Sequence, residues 1–341
     1  MAEAATAGGE GAGRRAGALS DIFSCDIFAA RPKDDLGSME HPMFSLATRP
    51  DRRIRHYRHN GMAITVTPSV RGRATIHDKD VLIYCISQLI AAANAGREIH
   101  RTLRLVAHDF LVATGRDTGG DGYARLVDAF ERLAGTRITT NISTGGLETT
   151  SGFGLIEAWE IVRRGRGGRM LSVSVTLSDW LWRAVLAKSV LTLSRDYFTL
   201  RKPLERRVYE LARKHCGRQP SWRVGVPLLH EKSGSDAPVR VFRAALRRMI
   251  AADALPDYHL AEAPGDILEV RRRAGTGGGA GEEHPLFGAE TVERVRELAP
   301  GLDPYALEAE WQAWWEATGR PRLSSPEKAY LGWVRTRAAR G

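Results

Sequence analysis

"PVRVFRAALRRMIAADAL", residues 238–255, has the spacing of an amphipathic helix. Phe242, Ala245, Leu246, Met249 and Ile250 recur at steps of three and four, so they share one face. At about 100° per residue, Arg240, Arg243 and Arg247 gather on the opposite face, and Arg248 flanks them. Only Asp236 and Asp253, one near each end, stand close in sequence to balance these charges. A helix that turns an apolar stripe inward and arginines outward admits two readings. One is a solvated surface; the other is a helix lying against a polyanion.

The flanking sequence favours the second. "PLERRVYELARKHCG" (203–217) reads as a helix with Leu204, Val208, Leu211 and Ala212 inward and Gly217 as its stop. "SWRVGV" (221–226) alternates Trp222, Val224 and Val226, a strand. "PLLHEKSG" (227–234) is a short helix opened by proline, and Asp236 is placed to cap the arginine helix. "DYHLAEAPGDILEV" (257–270) reads as a hairpin around a Pro-Gly turn. Helix, strand, helix, helix and hairpin is the order of a winged helix. In that motif the third helix enters the major groove and the hairpin touches the flanking backbone. This puts Arg240, Arg243, Arg247 and Arg248 on the reading helix, and Arg271 and Arg272 at the end of the wing.

The same order occurs once before. "DKDVLIYCISQLIAAANAG" (78–96) is a strongly apolar helix, with Asp78 as N-cap and Gly96 beyond its end. "RTLRLV" (101–106) is a strand, and "AHDFLVATG" (107–115) and "DGYARLVDAFERLAG" (121–135) are helices. On the last, Arg125 and Arg132 lie seven apart with Asp128 between them, which fits either DNA contact or an intrahelical ion-pair ladder. "RITTNI" (137–142), opened by Arg137, "FGLIEAWEIV" (153–162) and "MLSVSVTL" (170–177) are strands. They are joined by turn-rich "STGGLETTSG" and "RRGRGG". The second join carries Arg164 and Arg166 at a wing-like turn, either phosphate contacts or an exposed loop.

Composition agrees with a polyanionic partner. The 341 residues carry 50 basic and 40 acidic side chains, a net charge of +10, which favours nucleic acid over membrane. Residues 201–273 hold a net +7 and residues 282–341 a net −2, so the positive charge lies before the Gly-rich stretch "RRRAGTGGGAGEEHP" (271–285). No run of about 18 apolar residues spans a bilayer. The Ala/Gly-rich N-terminus lacks the apolar core of a signal peptide and reads as a disordered tail. Three scattered cysteines, Cys25, Cys85 and Cys216, form neither a disulfide framework nor a zinc site, which points to a reducing cytoplasm.

Signs of catalysis are missing. No G-x-x-x-x-G-K-[ST] occurs, and the glycines of 275–281 do not sit between a strand and a helix. His56 and His59 are three apart, so an alternating strand sends them to opposite faces and no metal is held jointly. His215 beside Cys216 ends a helix, where a cation complements the dipole, rather than forming a nucleophilic dyad. No tight His-x-His pair supports a rolling-circle nickase, and no carboxylate cluster calls for an enzyme. No cofactor or metal is expected.

The chain resembles the replication initiator protein A (RepA-like) family of proteobacterial plasmid initiators over roughly residues 20–275. Long runs carry the resemblance: "MEHPMFSLATRPDRRIRHYRHNG" (39–61), "ITVTPSVRGRATIHDKDVLIYCISQLI" (64–90), "SGFGLIEAWEIVRR" (151–164), "VTLSDWLWRAVLAKSVLTLSRDYFTL" (175–200) and "RKPLERRVYELARKHCG" (201–217). The resemblance implies tandem winged helices that bind repeated sites in double-stranded origin DNA, help open the duplex and recruit host replication initiator and helicase proteins. It also implies autoregulation and a homodimer in equilibrium with monomer, paired through the N-terminal domain. A winged-helix transcriptional repressor is the alternative in the same class, and a rolling-circle nickase the alternative in another.

The expected fold is therefore α+β: tandem winged-helix (helix-turn-helix) domains followed by a small all-α C-terminal module. Its expected parts are a disordered tail (1–30), a first winged-helix domain with added strands (31–195), a second (196–273), a flexible linker (274–285) and the helical module (286–341). In that module Trp311, Trp314 and Trp315 lie at i, i+3 and i+4, where they fill a small core or form a docking face. The helix 78–95 is apolar almost all round, so it must be covered on several sides, by its own chain or by a second copy.

Overall fold

The computed structural model describes residues 31–59, 62–144, 147–163, 170–217, 219–273, 287, 289–299, 302, 304–318, 323 and 325–339. The expected tail (1–30), the linker (274–285), Cys25 and the turn carrying Arg164 and Arg166 lie outside the described residues.

β1 (Lys33–Asp35) and α1 (Leu36–Glu40) open the chain, and β2 (Arg55–His59) and β3 (Met62–Thr67) pair antiparallel. α2 (Lys79–Asn94), β4 (Thr102–Leu105), α3 (Ala107–Ala113) and α4 (Gly120–Gly135) follow. Then come β5 (Arg137–Thr144), β6 (Leu147–Gly154), β7 (Ile156–Arg163) and β8 (Met170–Leu177). α5 (Asp179–Leu186), β9 (Val190–Thr192) and a 3-10 turn (Arg195–Thr199) lead to the second copy of the order. This copy comprises α6 (Pro203–His215), β10 (Ser221–Gly225), α7 (Val226–Ser233), α8 (Val239–Ala252), β11 (Tyr258–Ala263) and β12 (Ile267–Arg272). α9 (Ala289–Leu298), α10 (Pro304–Ala317) and α11 (Pro326–Ala338) end it.

The repeat is visible in the sheets. β10, β12 and β11 form one three-stranded antiparallel sheet in that order, and β4, β8 and β7 form another. In both, the strand between the first two helices pairs with the last strand of the hairpin. α6 starts with Pro203 in its first turn and ends with Arg213, Lys214 and His215, each complementing the helix ends. Gly217 then takes a left-handed φ of +56°. α8 buries Phe242, Leu246 and Met249, each burial contributing about 1.5–3 kcal/mol.

Two expectations about strands need correction. "STGGLETTSG" is not a turn-rich join: most of it forms β6, paired along its length with β5 from Arg137↔Gly154 to Thr144↔Leu147. Nor is 153–162 one strand. It breaks at buried Leu155, and the chain leaves a sheet ordered β2-β3-β5-β6 to enter the one containing β7. Gly154 stands at that corner, where a Cβ would lie 3.0 Å from the Ile156 carbonyl oxygen. The strands added before α2 thus recruit the β5–β6 hairpin, which separates α4 from the β7–β8 hairpin in sequence.

α2 runs through the centre. Val81, Leu82, Ile83, Tyr84, Cys85, Ile86, Leu89 and Ile90 are all buried by their own chain. Of the two covers expected for this helix, its own chain or a second copy, it is its own chain that supplies it. Most of these side chains join a core with β3, β4, β8, α3 and α4, whereas Ile83 and Met39 pack into the core of α6, α8 and β12. The start of α2 is polar yet equally buried. Lys79 reaches Asp34 at 2.6 Å and Glu210 at 3.1 Å, and all three are at most 1% exposed. Next to it Arg206 of α6 pairs with Asp80. Arg207 donates to the carbonyls of Ser38, Met39, Glu40 and Lys232. A buried charge is tolerated only when paired and hydrogen-bonded, and here the pairing ties the first repeat to the second.

The last three helices share a separate core of Phe287, Val295, Leu307, Trp311, Tyr330 and Val334. The tryptophans divide: Trp311 is fully buried and stacks on Trp315 at 6.1 Å, whereas Trp314 is exposed. Among the described residues no helix is long and apolar enough to cross a membrane.

Candidate nucleic-acid interface

Burial of Phe242, Leu246 and Met249 fixes which side of α8 faces out. That side presents Arg240, Val241, Ala244, Arg247 and Arg248, all exposed, with Arg243 half-buried at its edge. The helix has no side-chain cap. Pro238 occupies the N-cap position, and Asp236, expected there, instead pairs with Arg53 and Arg55 next to β2. Asp253, at the other end, is held by His259 at 2.9 Å and Arg273 at 2.8 Å.

The arginine face is nevertheless partly balanced, and this corrects the expectation that only those two acids stand near it. The acids come from the hairpin. Both oxygens of Asp266, in the β11–β12 turn, accept from Arg243 at 2.9 and 2.6 Å. Glu262 of β11 accepts from Arg247 at 2.8 Å. The Arg243 guanidinium beside Asp266 holds that carboxyl below the usual carboxylate range. Arg240 and Arg248 have no acidic partner among the described residues, so they are the free cations of the face.

On the hairpin, Arg271 is exposed and reaches Glu269 of its own strand at 2.6 Å, while Arg272 is half-buried at the end of β12. Sequence reasoning missed Arg223. It is exposed on β10, directly opposite Glu269 of β12. The alternation that turns Val224 inward puts Arg223 on the outer face of the sheet, so the signal was present.

The first repeat differs. Arg125 of α4 is exposed and has no partner among the described residues. Arg132 does not form a ladder with Asp128 and is not free for DNA. Its Nε and Nη2 donate to Asp78 at 2.7 and 2.8 Å, tying α4 to the start of α2. That hydrogen-bonded pair raises the Arg132 pKa against the opposing effect of burial. Arg137 is exposed at the start of β5, with one long contact to the Gly152 carbonyl at 3.5 Å. The structure therefore gathers Arg240, Arg243, Arg247 and Arg248 on one surface and does not add Arg132 to another.

The remaining chemistry is quiet. His56 Nδ1 lies 3.0 Å from the Thr65 hydroxyl. His215 stacks on Trp222 at 4.9 Å and faces Glu40 at 3.2 Å. Burial pushes the Cys216 thiol up to about 11, so it is protonated at neutral pH. Among the described residues no group of three or more His, Cys, Asp or Glu could hold a metal ion.

Residues 33–260 match the profile of the family described as Replication initiator protein A. A curated protein of Wigglesworthia glossinidia brevipalpis named "Putative replication protein" is 37% identical over 238 residues, spanning 69% of this chain and 86% of that protein. Two crystal structures of domains 2 and 3 of RctB superpose with a TM-score of 0.50 at 14% identity, over 70% of this chain and 97% of the solved chain. At that identity the likeness is one of fold.

Proposed function

Because the chain belongs to the replication initiator protein A family, we propose that it binds repeated sites in double-stranded origin DNA and starts plasmid replication there. In this reading both repeats are winged helices, α4 and α8 enter major grooves, and the hairpins meet the flanking phosphates. The observation that carries it is the outer face of α8, where Arg240 and Arg248 are exposed without an acidic partner among the described residues.

The face divides the work by pairing. Arg240 and Arg248 reach DNA without breaking an ion pair. Arg243 and Arg247 are held in place by Asp266 and Glu262 and exchange a carboxylate for a phosphate or a guanine edge on binding. Val241 and Ala244, exposed between them, can lie against thymine methyl groups. The first repeat contributes less charge, because Arg132 is committed to Asp78. Arg223 adds a phosphate contact from the hairpin side.

The protein acts without catalysis of its own and in the cytoplasm. It recruits host replication initiator and helicase proteins, and represses its own promoter as a dimer. That dimer pairs through the first domain, on a surface other than α2, which its own chain covers. The exposed Trp314 face of the small C-terminal helical module is available to a host partner.

The test is a set of binding isotherms on origin and scrambled duplexes. Arg240→Ala and Arg248→Ala each weaken origin binding by about 1–3 kcal/mol where they read bases. Where they touch only phosphate, both duplexes weaken alike and the salt dependence flattens. Unchanged affinity for both variants removes α8 as the reading helix.

A further inference from the structure

A cleft of about 670 Å³ lies at the seam between the two repeats, and none of its lining residues belongs to α8 or to the β11–β12 hairpin. It is walled by residues 47–50, the 75–80 approach to α2, the turn between α3 and α4, and the 201–206 start of α6. Its volume falls within the range of about 300–1,000 Å³ typical of small-molecule sites. Its lining is unusual in charge. Arg49, Arg116, Arg125, Arg132, Arg201 and Arg206 face three carboxylates, Asp78, Asp80 and Asp117.

Three of the six guanidinium groups are engaged by acids. Arg132 clamps Asp78, while Arg206 and Arg116 share Asp80, Arg116 at 3.0 Å. The other three are not. Arg49 and Arg125 are exposed and have no partner among the described residues. Arg201 is exposed, and its Nη1 donates to the Gly115 carbonyl at 3.0 Å. Asp117, whose Oδ1 accepts from the Gly119 amide at 3.0 Å, is exposed at the same turn. Three unneutralised cations brought from three separate segments to one concavity repel one another, and the concave walls focus their field. An anion in the cleft relieves that repulsion.

We propose that this cleft binds a phosphate-bearing ligand, with Arg49, Arg125 and Arg201 gripping its phosphate oxygens. Guanidinium forks suit phosphate geometry, and three of them suit more than one phosphate. Among the described residues the lining holds no Phe, Tyr or Trp, and His77 is its one aromatic ring, so selection follows charge more than base identity. Arg125 belongs to α4 and Arg201 precedes α6, so the ligand bridges the two repeats at the point where they meet. The phosphate has two sources: a free nucleoside polyphosphate, or the backbone of DNA passing α4. The first stands without the DNA reading above; the second rests on it.

The experiment titrates the full chain with ATP and with inorganic tripolyphosphate by calorimetry, then measures duplex binding between 50 and 200 mM salt. The variant is Arg49→Gln/Arg201→Gln, and both side chains are exposed, so its melting temperature stays close to wild type. Should that variant fail to fold, Arg49→Gln alone takes its place, with half the expected change in salt slope. If the source is free, ATP and tripolyphosphate bind with similar affinity, the variant weakens both by about tenfold or more, and duplex binding is unchanged. If the source is DNA, neither probe binds, and the double variant lowers the slope of log K against log salt by about two, one per lost phosphate contact. The proposal is overturned if the probes bind the variant as well as wild type, or if neither the probes nor the salt slope respond. Arg240→Ala, which lies outside the cleft, separates the two claims. If it and Arg248→Ala both leave origin binding intact, α8 is not the reading helix, whatever the cleft does with ATP.

Discussion

Asp266→Asn should steepen the salt dependence of DNA binding. Asp266 sits in the β11–β12 turn with φ +58°, a left-handed conformation that Asn adopts readily, so the backbone is retained. Both of its oxygens accept from Arg243, so in the free protein that guanidinium already has its counter-charge. When Arg243 moves to a phosphate it swaps one anion for another and releases little salt. With Asn at 266 the arginine arrives unneutralised and displaces a condensed counterion. One added phosphate contact changes the slope of log K against log salt by about 0.9. Between 50 and 200 mM salt this makes the loss of affinity about 3.5-fold larger than in wild type. Fluorescence anisotropy on a labelled duplex across that range reads it directly. Arg243→Ala introduced alongside Asp266→Asn should abolish the increment. Equal slopes for Asp266→Asn and wild type, or an increment that survives the loss of Arg243, would show that Asp266 does not neutralise Arg243 before binding.

Two further outcomes concern stability. Lys79→Met strips the buried Asp34 carboxylate of its ion pair, while Glu210 keeps Arg207 and Tyr197, and should cost about 3–5 kcal/mol, read from the urea midpoint. Acid should destabilise the fold through two buried histidines. Burial lowers His41 to about 4, and burial together with nearby Arg206 lowers His77 to about 4, against an ordinary 6.5. The unfolded chain takes up these protons near pH 6.5 and the folded chain only near 4. Stability therefore falls with pH across that window, on the order of 2–3 kcal/mol per histidine. Urea midpoints at pH 7 and pH 4.5 measure the drop, and His77→Gln should make it shallower.

Local periodicity made most elements legible. α8, α6, β10 and the hairpin each satisfy a spacing rule within one short window, and their order is the order found in the second copy, while in the first the β5–β6 hairpin intervenes. Interactions set by tertiary structure were not legible. Arg243 meets Asp266 across 23 residues, and Arg132 meets Asp78 across 54. No helical or strand period reports a partner at such distances, so α8 looked less balanced than it is. The β5–β6 hairpin was hidden for a similar reason. Its glycines and threonines resemble a turn, and only pairing with β3 makes a sheet of it. Arg223 was within reach of strand alternation but drew no notice beside the denser arginines of α8. The cleft arginines come from residue 49 to residue 206, and only the fold assembles them.

The proposed function puts the outward face of α8 in the DNA groove. A benzophenone side chain at position 244, the exposed centre of that face, tests it in one step. On irradiation with end-labelled origin DNA, it should crosslink at one fixed position within each repeat, and unlabelled origin duplex should compete it away. A control probe at exposed Ile54 should yield no such ladder. If position 244 gives no crosslink while the protein remains bound, α8 does not read the DNA.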